Sequence, residues 1–113
     1  MVKAKYVPRR GDIVWLAFDP TRGHEQRGKR PAFVVSPTLY NQKSSLALVC
    51  PISSQSKGYP FEVEIAGSHI RGVVLADHLR SIDWRARKAK YVESVAQEVV
   101  TEIQDKINQL IIG

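Results

Sequence analysis

The chain has 113 residues, of which 43% are apolar and 25% charged, ordinary values for one globular domain with one modest core. A single cysteine excludes an intramolecular disulfide, no apolar run approaches the roughly 18 residues of a membrane-spanning helix, and the basic start MVKAKYVPRR leads into no apolar signal segment. We therefore expect one cytoplasmic domain over residues 1–113, with neither a disulfide scaffold nor a membrane segment.

The charge is unevenly distributed along the chain, whose net charge is +6. Residues 1–57 contain ten Lys or Arg against three Asp or Glu, whereas residues 58–113 contain seven against eight. A basic half on a small protein favours a polyanionic partner, of which nucleic acid is the commonest. Solubility alone is the alternative explanation of this charge.

Apolar runs in the first half of the chain predict three strands. The first, GDIVWLAF, is apolar on both faces and suits a strand buried on two sides. AFVVS and LALVCPIS predict the second and third strands, and PTLYNQKSS between them suits a short helical turn. The segment DPTRGHEQRGKRP joins the first two strands and is too long for a tight hairpin, so we expect a loop that carries charges of both signs.

The second half begins with further short strands. SQSKGY predicts a polar turn, and PFEVEI alternates, with Phe61, Val63 and Ile65 on one face and two glutamates on the other. GVVLA predicts a fifth strand, LRSIDW its continuation after a kink, and KAKYVES a further strand.

The C-terminal segment SVAQEVVTEIQDKINQLIIG changes to a helical period. Its apolar residues fall on one helical face, namely Ala96, Val99, Val100, Ile103, Ile107, Leu110 and Ile111. Ser94 with Gln97 predicts a capping box, and Glu102 with Lys106 an i, i+4 ion pair. Strands followed by one terminal helix predict a small antiparallel β-barrel or sandwich with the helix packed on it.

No motif for a metal or a nucleotide cofactor occurs in the sequence. His24, His69 and His78 are scattered, and there is no Cys-x-x-Cys, His-Glu-x-x-His or glycine-rich nucleotide fingerprint. We therefore expect no catalytic metal and no cofactor. Cys50 lies in an apolar run and is expected to fill core space rather than to act as a nucleophile.

The charged loop GHEQRGKRP contains the residue types that metal-free RNA cleavage needs. In that reaction the nucleophile is the substrate's own 2′-OH, so the protein supplies a base, an acid and a cation for the charged phosphorane. Arg30 can hold phosphate through two parallel N–H bonds, Glu25 or His24 can move protons, and Pro31 favours an extended backbone at Arg30. Composition alone favours the alternative, a solvated loop.

Three motifs, GDIVWLAFDPTRGHEQRGKRPAFVVSP, QSKGYPFEV and GVVLADHLRSIDWRAR, occur in this order. Together they resemble the MazF/PemK family of bacterial toxin endoribonucleases over nearly the whole chain, most of all its MazF members. The resemblance implies a mainly β fold, a homodimeric, small SH3-like or CcdB-like antiparallel β-barrel with a C-terminal α-helix. It also implies the toxin of a type II toxin–antitoxin system, which cuts single-stranded mRNA at short sequences without metal or ribosome. The expected products are 2′,3′-cyclic phosphate and 5′-OH ends, and an ACA-like triplet is the suggested cleavage site.

The resemblance further implies site residues. The family's catalytic arginine falls on Arg30, its supporting acidic residue on Glu25, and its catalytic threonine on Ser53, where serine keeps the hydroxyl but lacks the methyl group. The general base is left open, because a guanidinium is a poor base. The other expected RNA contacts are His24, Gln26, Arg27, Lys29, Ser54, Lys57, Asp77, His78, Arg80, Arg85 and Arg87.

These residues also have structural alternatives. Ser53 suits a turn at a strand end, Asp77 suits the end of a strand, and surface arginines usually form a solvated face. Trp15 and Trp84 are expected in core or dimer contacts rather than stacked on bases.

The implied protein partner is a cognate MazE-like antitoxin whose acidic, disordered C-terminal tail folds over the basic groove. Two rival hypotheses are a gyrase-directed toxin of the CcdB type on the same fold and a non-catalytic RNA-binding module. The CcdB family lacks the Glu-Gln…Arg-Pro loop, which is intact here. Toxicity that is lost on trimming the terminal Leu-Ile-Ile-Gly, with RNA left uncut, would favour the first rival, and RNA binding without cleavage would favour the second.

Overall fold

The computed structural model describes residues 5–17 and 28–113. Within these ranges the chain forms strands and two helices, in the order β1 (Asp12–Ala17), β2 (Lys29–Val34), α1 (Thr38–Ser44), β3 (Leu46–Ser53), β4 (Glu62–Ala66), β5 (Arg71–Leu75), β6 (Arg80–Asp83), β7 (Lys90–Ser94) and α2 (Gln97–Ile111). The short helix predicted between the second and third strands is confirmed as α1.

All the paired strands are antiparallel, and they follow the order β4-β5-β3-β2-β1-β7. Strand β3 is long enough to pair with two strands along its second edge, with β6 through Leu46–Val49 and with β5 through Ile52 and Ser53. The predicted continuation of the fifth strand after a kink is therefore confirmed as β6. The sheet is curled into a half-barrel, with β4 and β7 as the strands at its two ends.

Each face of the curled sheet has its own hydrophobic core. On one face, Val100, Ile103 and Ile107 of α2 pack with residues such as Phe33 and Val63 of the sheet. On the other face, a second cluster is built from β1, β2, β3 and β6 and closed by the buried indole of Trp84; its buried members are Val14, Leu16, Ala32, Val34, Ala47, Val49, Ile82 and Trp84. The prediction of a small antiparallel β fold with a C-terminal helix is confirmed, and so is the core position of Trp84.

The buried carboxylate of Asp12 ties the start of β1 to two other segments. It accepts hydrogen bonds from the Tyr6 hydroxyl at 2.6 Å, the Arg9 backbone N–H at 3.0 Å and the Ser94 hydroxyl at 2.9 Å. Burial first, and then the bond to Asp12, raises the pKa of the Tyr6 phenol well above its usual range. Asp12 therefore holds the segment before β1 and the end of β7 together.

The start of α2 differs from the predicted capping box. The helix begins at Gln97 after Ala96, with no side-chain hydrogen bond at the cap, and Ser94 is the last residue of β7. The Ser94 hydroxyl bonds to Asp12 instead. The prediction was wrong because a buried carboxylate on a neighbouring strand takes the hydroxyl that local sequence would assign to the helix.

The far end of α2 also departs from the sequence pattern. Leu110 and Ile111 were expected on the buried face, but 51% and 69% of their surfaces are exposed, because the helix extends beyond the core. Lys106 Nζ donates to the Pro60 carbonyl oxygen at 2.6 Å, and among the described residues it forms no ion pair with Glu102. Neither helix in the described ranges is long and apolar enough to cross a bilayer.

Candidate active site

Strand β2 begins earlier than the sequence indicated and brings Arg30 into the sheet. Lys29, Arg30 and Pro31 were predicted as the end of a loop, yet they pair with β1, where Leu16 lies opposite Arg30 and Trp15 opposite Pro31. The tertiary pairing with β1 overrides the turn signals of this segment. Arg30 is consequently an exposed side chain on a fixed strand backbone.

The pairing of β2 with β3 places Arg30 and Ser53 on the same face of the sheet. The pairing of β2 with β3 ends at Ala32 and Pro51. Pro51, and Pro31 next to Ala32, have no backbone N–H to donate. Continued by two positions beyond the observed pairs, this register would set Arg30 opposite Ser53. Since directly opposed residues of an antiparallel pair share one face, both side chains lie on the face that also carries Leu16 and Ala32.

Three arginines surround a small cavity on this face. The cavity has a volume of about 70 Å³, and its charged lining residues are Arg30, Arg80 and Arg87. The remainder of its wall is apolar and comes from β1, β2, β3 and β6, with Leu16, Ala17, Pro31, Ala32, Val49, Pro51 and Ile82. The described lining of the cavity therefore combines three guanidinium groups with an apolar floor. Such a site suits an anion, above all a phosphate that arginine can grip with two N–H bonds.

The structure separates Arg80, Arg85 and Arg87, three arginines that lie close together in the sequence. Arg80 lies opposite Val49 in the β6–β3 pair. Arg87 is anchored to the end of β1, because the Ala17 N–H donates to the Arg87 carbonyl at 2.8 Å and the Arg87 Nη1 donates to the Ala17 carbonyl at 3.2 Å. Arg85 instead places its guanidinium 4.8 Å from the ring centre of Trp84, and it does not line the cavity. Arg80 and Arg87 therefore join Arg30, whereas Arg85 lies on the neighbouring indole.

Ser53 closes β3 with a hydroxyl that is only partly buried. Its Oγ accepts a hydrogen bond from the Gln55 backbone N–H and donates one to the Gln55 carbonyl, both at 3.2 Å. Gly72 of β5 has φ +151, and a Cβ there would lie 2.2 Å from the Ser53 carbonyl oxygen, so only glycine lets β5 approach this closely. The neighbouring Ser54 is exposed.

The turn between β3 and β4, residues 54–60, folds around one carboxylate. Glu62 accepts hydrogen bonds from the Ser56 hydroxyl at 3.0 Å and from the backbone N–H groups of Lys57, at 3.1 Å, and Gly58, at 3.0 Å. Desolvation raises the pKa of the Glu62 carboxyl, but these hydrogen bonds outweigh it and hold that pKa below its ordinary value. Lys57 thus belongs to a turn whose backbone is held in place, and its own side chain is exposed.

Asp77 and His78 form an exposed pair in the turn between β5 and β6, with the Asp77 Oδ1 3.7 Å from the His78 Nε2. Neither lines the arginine cavity. The thiol of Cys50 is fully buried; burial first, and then the nearby charge of Asp77, raise its pKa to about 12, so it stays protonated at neutral pH. The expectation that Cys50 fills core space is confirmed.

Four of the predicted site residues lie outside the described residues, namely His24, Glu25, Gln26 and Arg27. Within the ranges 5–17 and 28–113, no group of three or more His, Cys, Asp or Glu side chains is arranged to hold a metal ion.

Residues 9–111 match the family model of PemK-like, MazF-like toxins of type II toxin–antitoxin systems. The chain belongs to this family. The Escherichia coli K12 endoribonuclease toxin MazF is 52% identical over 96% of this chain and 97% of its own. Among solved structures, MazF of Deinococcus radiodurans is 46% identical, with a TM-score of 0.85 over 96% of this chain and 100% of that one. The MazE–MazF complex of the same organism matches at 43% identity and a TM-score of 0.83, over 95% of this chain and 97% of that one.

Sequence reasoning missed two features of this family member. Glu62 was interpreted only as a solvent-facing strand residue, and Glu93 had no assigned part, although it accepts three backbone hydrogen bonds. A carboxylate that binds backbone N–H groups leaves no periodic signal in a sequence. Glycines at close approaches, such as Gly67 beside the Glu93 carboxylate, are the only trace that could have suggested such contacts.

Proposed function

We propose that this endoribonuclease toxin cuts single-stranded mRNA by transesterification at the face that carries Arg30 and Ser53, without a metal ion and without the ribosome. The observation that carries the proposal is the grouping of Arg30, Arg80 and Arg87 around one anion-sized cavity, with Ser53 on the same face. An RNA phosphate is the ligand that this charge and this geometry suit best.

The proposed reaction uses the RNA's own 2′-oxygen. That oxygen attacks the adjacent phosphorus and forms a P–O2′ bond, while its proton passes to a base. The P–O5′ bond then breaks and the 5′-oxygen receives a proton, which leaves a 2′,3′-cyclic phosphate and a 5′-OH. Because charge develops on the phosphoryl oxygens in the transition state, fixed cations and hydrogen-bond donors around them lower the barrier.

Each predicted residue has a role in this scheme. The Arg30 guanidinium neutralises the phosphorane, and the Ser53 hydroxyl exchanges its 3.2 Å bond to the Gln55 carbonyl for a phosphate oxygen. Glu25 is proposed to orient the substrate or to transfer the proton. Arg80 and Arg87 hold the flanking backbone, and the other proposed RNA contacts are His24, Gln26, Arg27, Lys29, Ser54, Lys57, Asp77, His78 and Arg85.

The proposed biological setting is a type II toxin–antitoxin pair in the cytoplasm, where mRNA is available and its cleavage stops translation and growth. The cognate antitoxin would cover the basic face with an acidic tail that folds on binding. The toxin is proposed to act as a homodimer, and the exposed apolar side chains of Leu39, Leu110, Ile111 and Ile112 support an apolar contact between copies.

The proposal is tested by incubating the protein with a long RNA in EDTA and mapping the new ends. We expect cleavage at a short recurring sequence, such as an ACA-like triplet, with cyclic phosphate and 5′-OH ends. Intact RNA, or cleavage that begins only when magnesium is added, would contradict the proposal. Binding without cleavage would point to the RNA-binding module instead.

Arg30→Ala should reduce the cleavage rate at least 100-fold, because removing one preorganised donor to a developing oxyanion costs roughly that much. Its control is Arg10→Ala, which removes an exposed guanidinium from the opposite end of β1, where Arg10 donates to the Val35 carbonyl at 2.8 Å. We expect Arg10→Ala to cut at the unaltered rate. Equal cleavage rates of the two variants in a single-turnover assay would show that Arg30 is not part of the active site.

A further inference from the structure

The turn between β3 and β4 presents its backbone donors to a single point. The Lys57 and Gly58 N–H groups and the Ser56 hydroxyl all converge on the Glu62 carboxylate, within 3.0–3.1 Å. Successive backbone N–H groups that converge in this way form an anion-binding concavity. Here the chain supplies its own anion, so this concavity is already filled before any phosphate approaches.

This turn is continuous with the candidate active site. It starts directly after Ser53, whose hydroxyl bonds to Gln55, and it ends at Pro60, whose carbonyl accepts the Lys106 ammonium at 2.6 Å. The Glu62 N–H closes it by donating to the Tyr59 carbonyl at 3.1 Å. The backbone of the turn is thus held at its beginning, centre and end, although its side chains are exposed.

An exposed turn held in this way has a thermodynamic advantage for a ligand. Fixing the backbone of one residue costs roughly 1–2 kcal/mol, and a turn that is ordered only on binding loses this free energy from the affinity. A turn that is already ordered in the free protein avoids this loss of affinity. Its exposed polar and aromatic side chains, Ser54, Lys57 and Tyr59, suit a single strand, because a lysine can neutralise phosphate and a phenol ring can stack on a base.

We propose that Glu62 is a positioning residue, which presets the 54–60 turn as a wall of the RNA site beside Ser53. The inference rests on the proposed function, because it takes single-stranded RNA as the substrate. Glu62 touches no reacting atom; it acts through the backbone of Lys57 and Gly58. Its removal should therefore weaken substrate binding and leave the chemical step unchanged.

The test compares Glu62→Gln with Glu64→Gln, using a short RNA that contains one cleavage site. Both glutamates lie on the same side of β4 and both variants raise the net charge by one, so a general electrostatic effect on RNA binding is the same in both. Glu62→Gln loses the charge that three donors share. We expect it to raise KM about tenfold, the effect of losing about 1.4 kcal/mol of binding, with kcat within about twofold of the wild type, whereas Glu64→Gln leaves KM unchanged or lowers it.

A second pair of variants changes the turn without changing charge. Gly58 has φ +75, and a Cβ there would meet nothing within 4 Å, so a substitution is resisted by backbone strain and not by contacts. Gly58→Ala should raise KM, and Gly58→Asn should restore it in part, because asparagine tolerates positive φ better than alanine. A turn that served only as a linker would respond to neither substitution.

The amide proton resonances of Lys57 and Gly58 report directly on the turn. They would not change if Glu62 acted only on the structure of another part of the protein. In the wild type they should shift together as the Glu62 carboxyl is titrated with acid, and in Glu62→Gln they should lose this response and exchange faster with solvent.

Four outcomes would overturn the inference. If the wild type cuts and the two glutamine variants have the same KM, the turn does not depend on Glu62, and the proposed function stands. A fall in kcat at constant KM would place Glu62 in the chemistry and not in positioning. A raised KM with unchanged amide resonances would exclude the turn as the cause. Failure of the wild type to cut any RNA would remove the proposed function and the inference with it.

Discussion

Two glutamates of this protein each accept hydrogen bonds from backbone N–H groups, one from residues near it in the sequence and the other from residues far away. Glu62 binds donors four to six residues before it in the chain, whereas Glu93 of β7 accepts the N–H groups of Ser68, His69 and Ile70, at 2.9, 3.0 and 2.9 Å, from 23 to 25 residues away. One carboxylate shapes a local turn. The other joins β7 to the turn between β4 and β5, and so bridges the two ends of the half-barrel. The same type of carboxylate–backbone hydrogen bond therefore stabilises a local turn in one case and joins distant parts of the fold in the other. The difference is how far apart the bonded residues lie in the sequence.

The surroundings of Glu93 are correspondingly tighter. A Cβ at Gly67 would lie 2.5–2.7 Å from the Glu93 carboxylate atoms, so a side chain there would have to displace this carboxylate. Gly58, at the Glu62 turn, has open space where its Cβ would be. From this difference we expect Glu93 to contribute mainly to stability and Glu62 mainly to substrate binding.

The largest effect on stability should come from Glu93→Ala. It leaves three backbone donors without their acceptor and opens the bridge between the sheet ends. We expect the free energy of unfolding to fall by about 1–3 kcal/mol, which lowers the melting temperature by about 4–13 °C. The measurement is thermal unfolding at fixed protein concentration, with Glu62→Ala as the matched variant. A larger loss for Glu62→Ala than for Glu93→Ala would reverse the comparison.

A smaller effect is expected for Gly67→Ala, because the end of the flexible Glu93 side chain can move aside. The added methyl group should destabilise the wild type by displacing the carboxylate and should have little effect in a Glu93→Ala background. Denaturant unfolding of the two single variants and the double variant measures this coupling. Strict additivity would show that Gly67 and Glu93 do not form one unit.

The smallest effect is the acid dependence of stability. Desolvation raises the pKa of Glu93, but its bonds from His69, Ile70 and Ser68 outweigh this and hold that pKa below the ordinary value of 4.5. Above pH 4.5 the carboxylate is ionised in both states, and its contribution is complete. As the pH falls below 4.5 the unfolded chain binds the proton first, so stability falls until the folded carboxyl is protonated too. In Glu93→Gln this loss should be absent, which unfolding curves between pH 5 and 3 can measure.

Much of the architecture was predictable from local pattern. The alternation of Phe61, Val63 and Ile65 and the helical period after Ser94 gave the correct element types, because burial of one face imposes a period of 2 or 3.6 on any such chain. The capping box at Ser94 failed because Asp12, far away in sequence, competes for the same hydroxyl. The start of β2 failed because pairing with β1 outweighs the turn propensity of Lys29 to Pro31.

The candidate site, too, was predictable from the sequence only in part. Arg30 and Ser53 were predicted from the family resemblance of their motifs, and the basic charge of the first half already favoured a polyanion. Arg80 and Arg87 line the cavity with Arg30, whereas Arg85 lies against Trp84. This division follows from the strand register, and no local feature of the sequence RSIDWRAR indicates it.

The sequence by itself determined the family, the order of the strands and the helix, and the residue types available for phosphate chemistry, because these depend on side-chain identity and on periods within one element. Only the tertiary structure decided which arginines converge, that Ser53 shares a face of the sheet with Arg30, and that Glu62 and Glu93 bind backbone donors. These features depend on register and on chain closure, and two residues separated by 50 positions can meet only through the strands that pair between them.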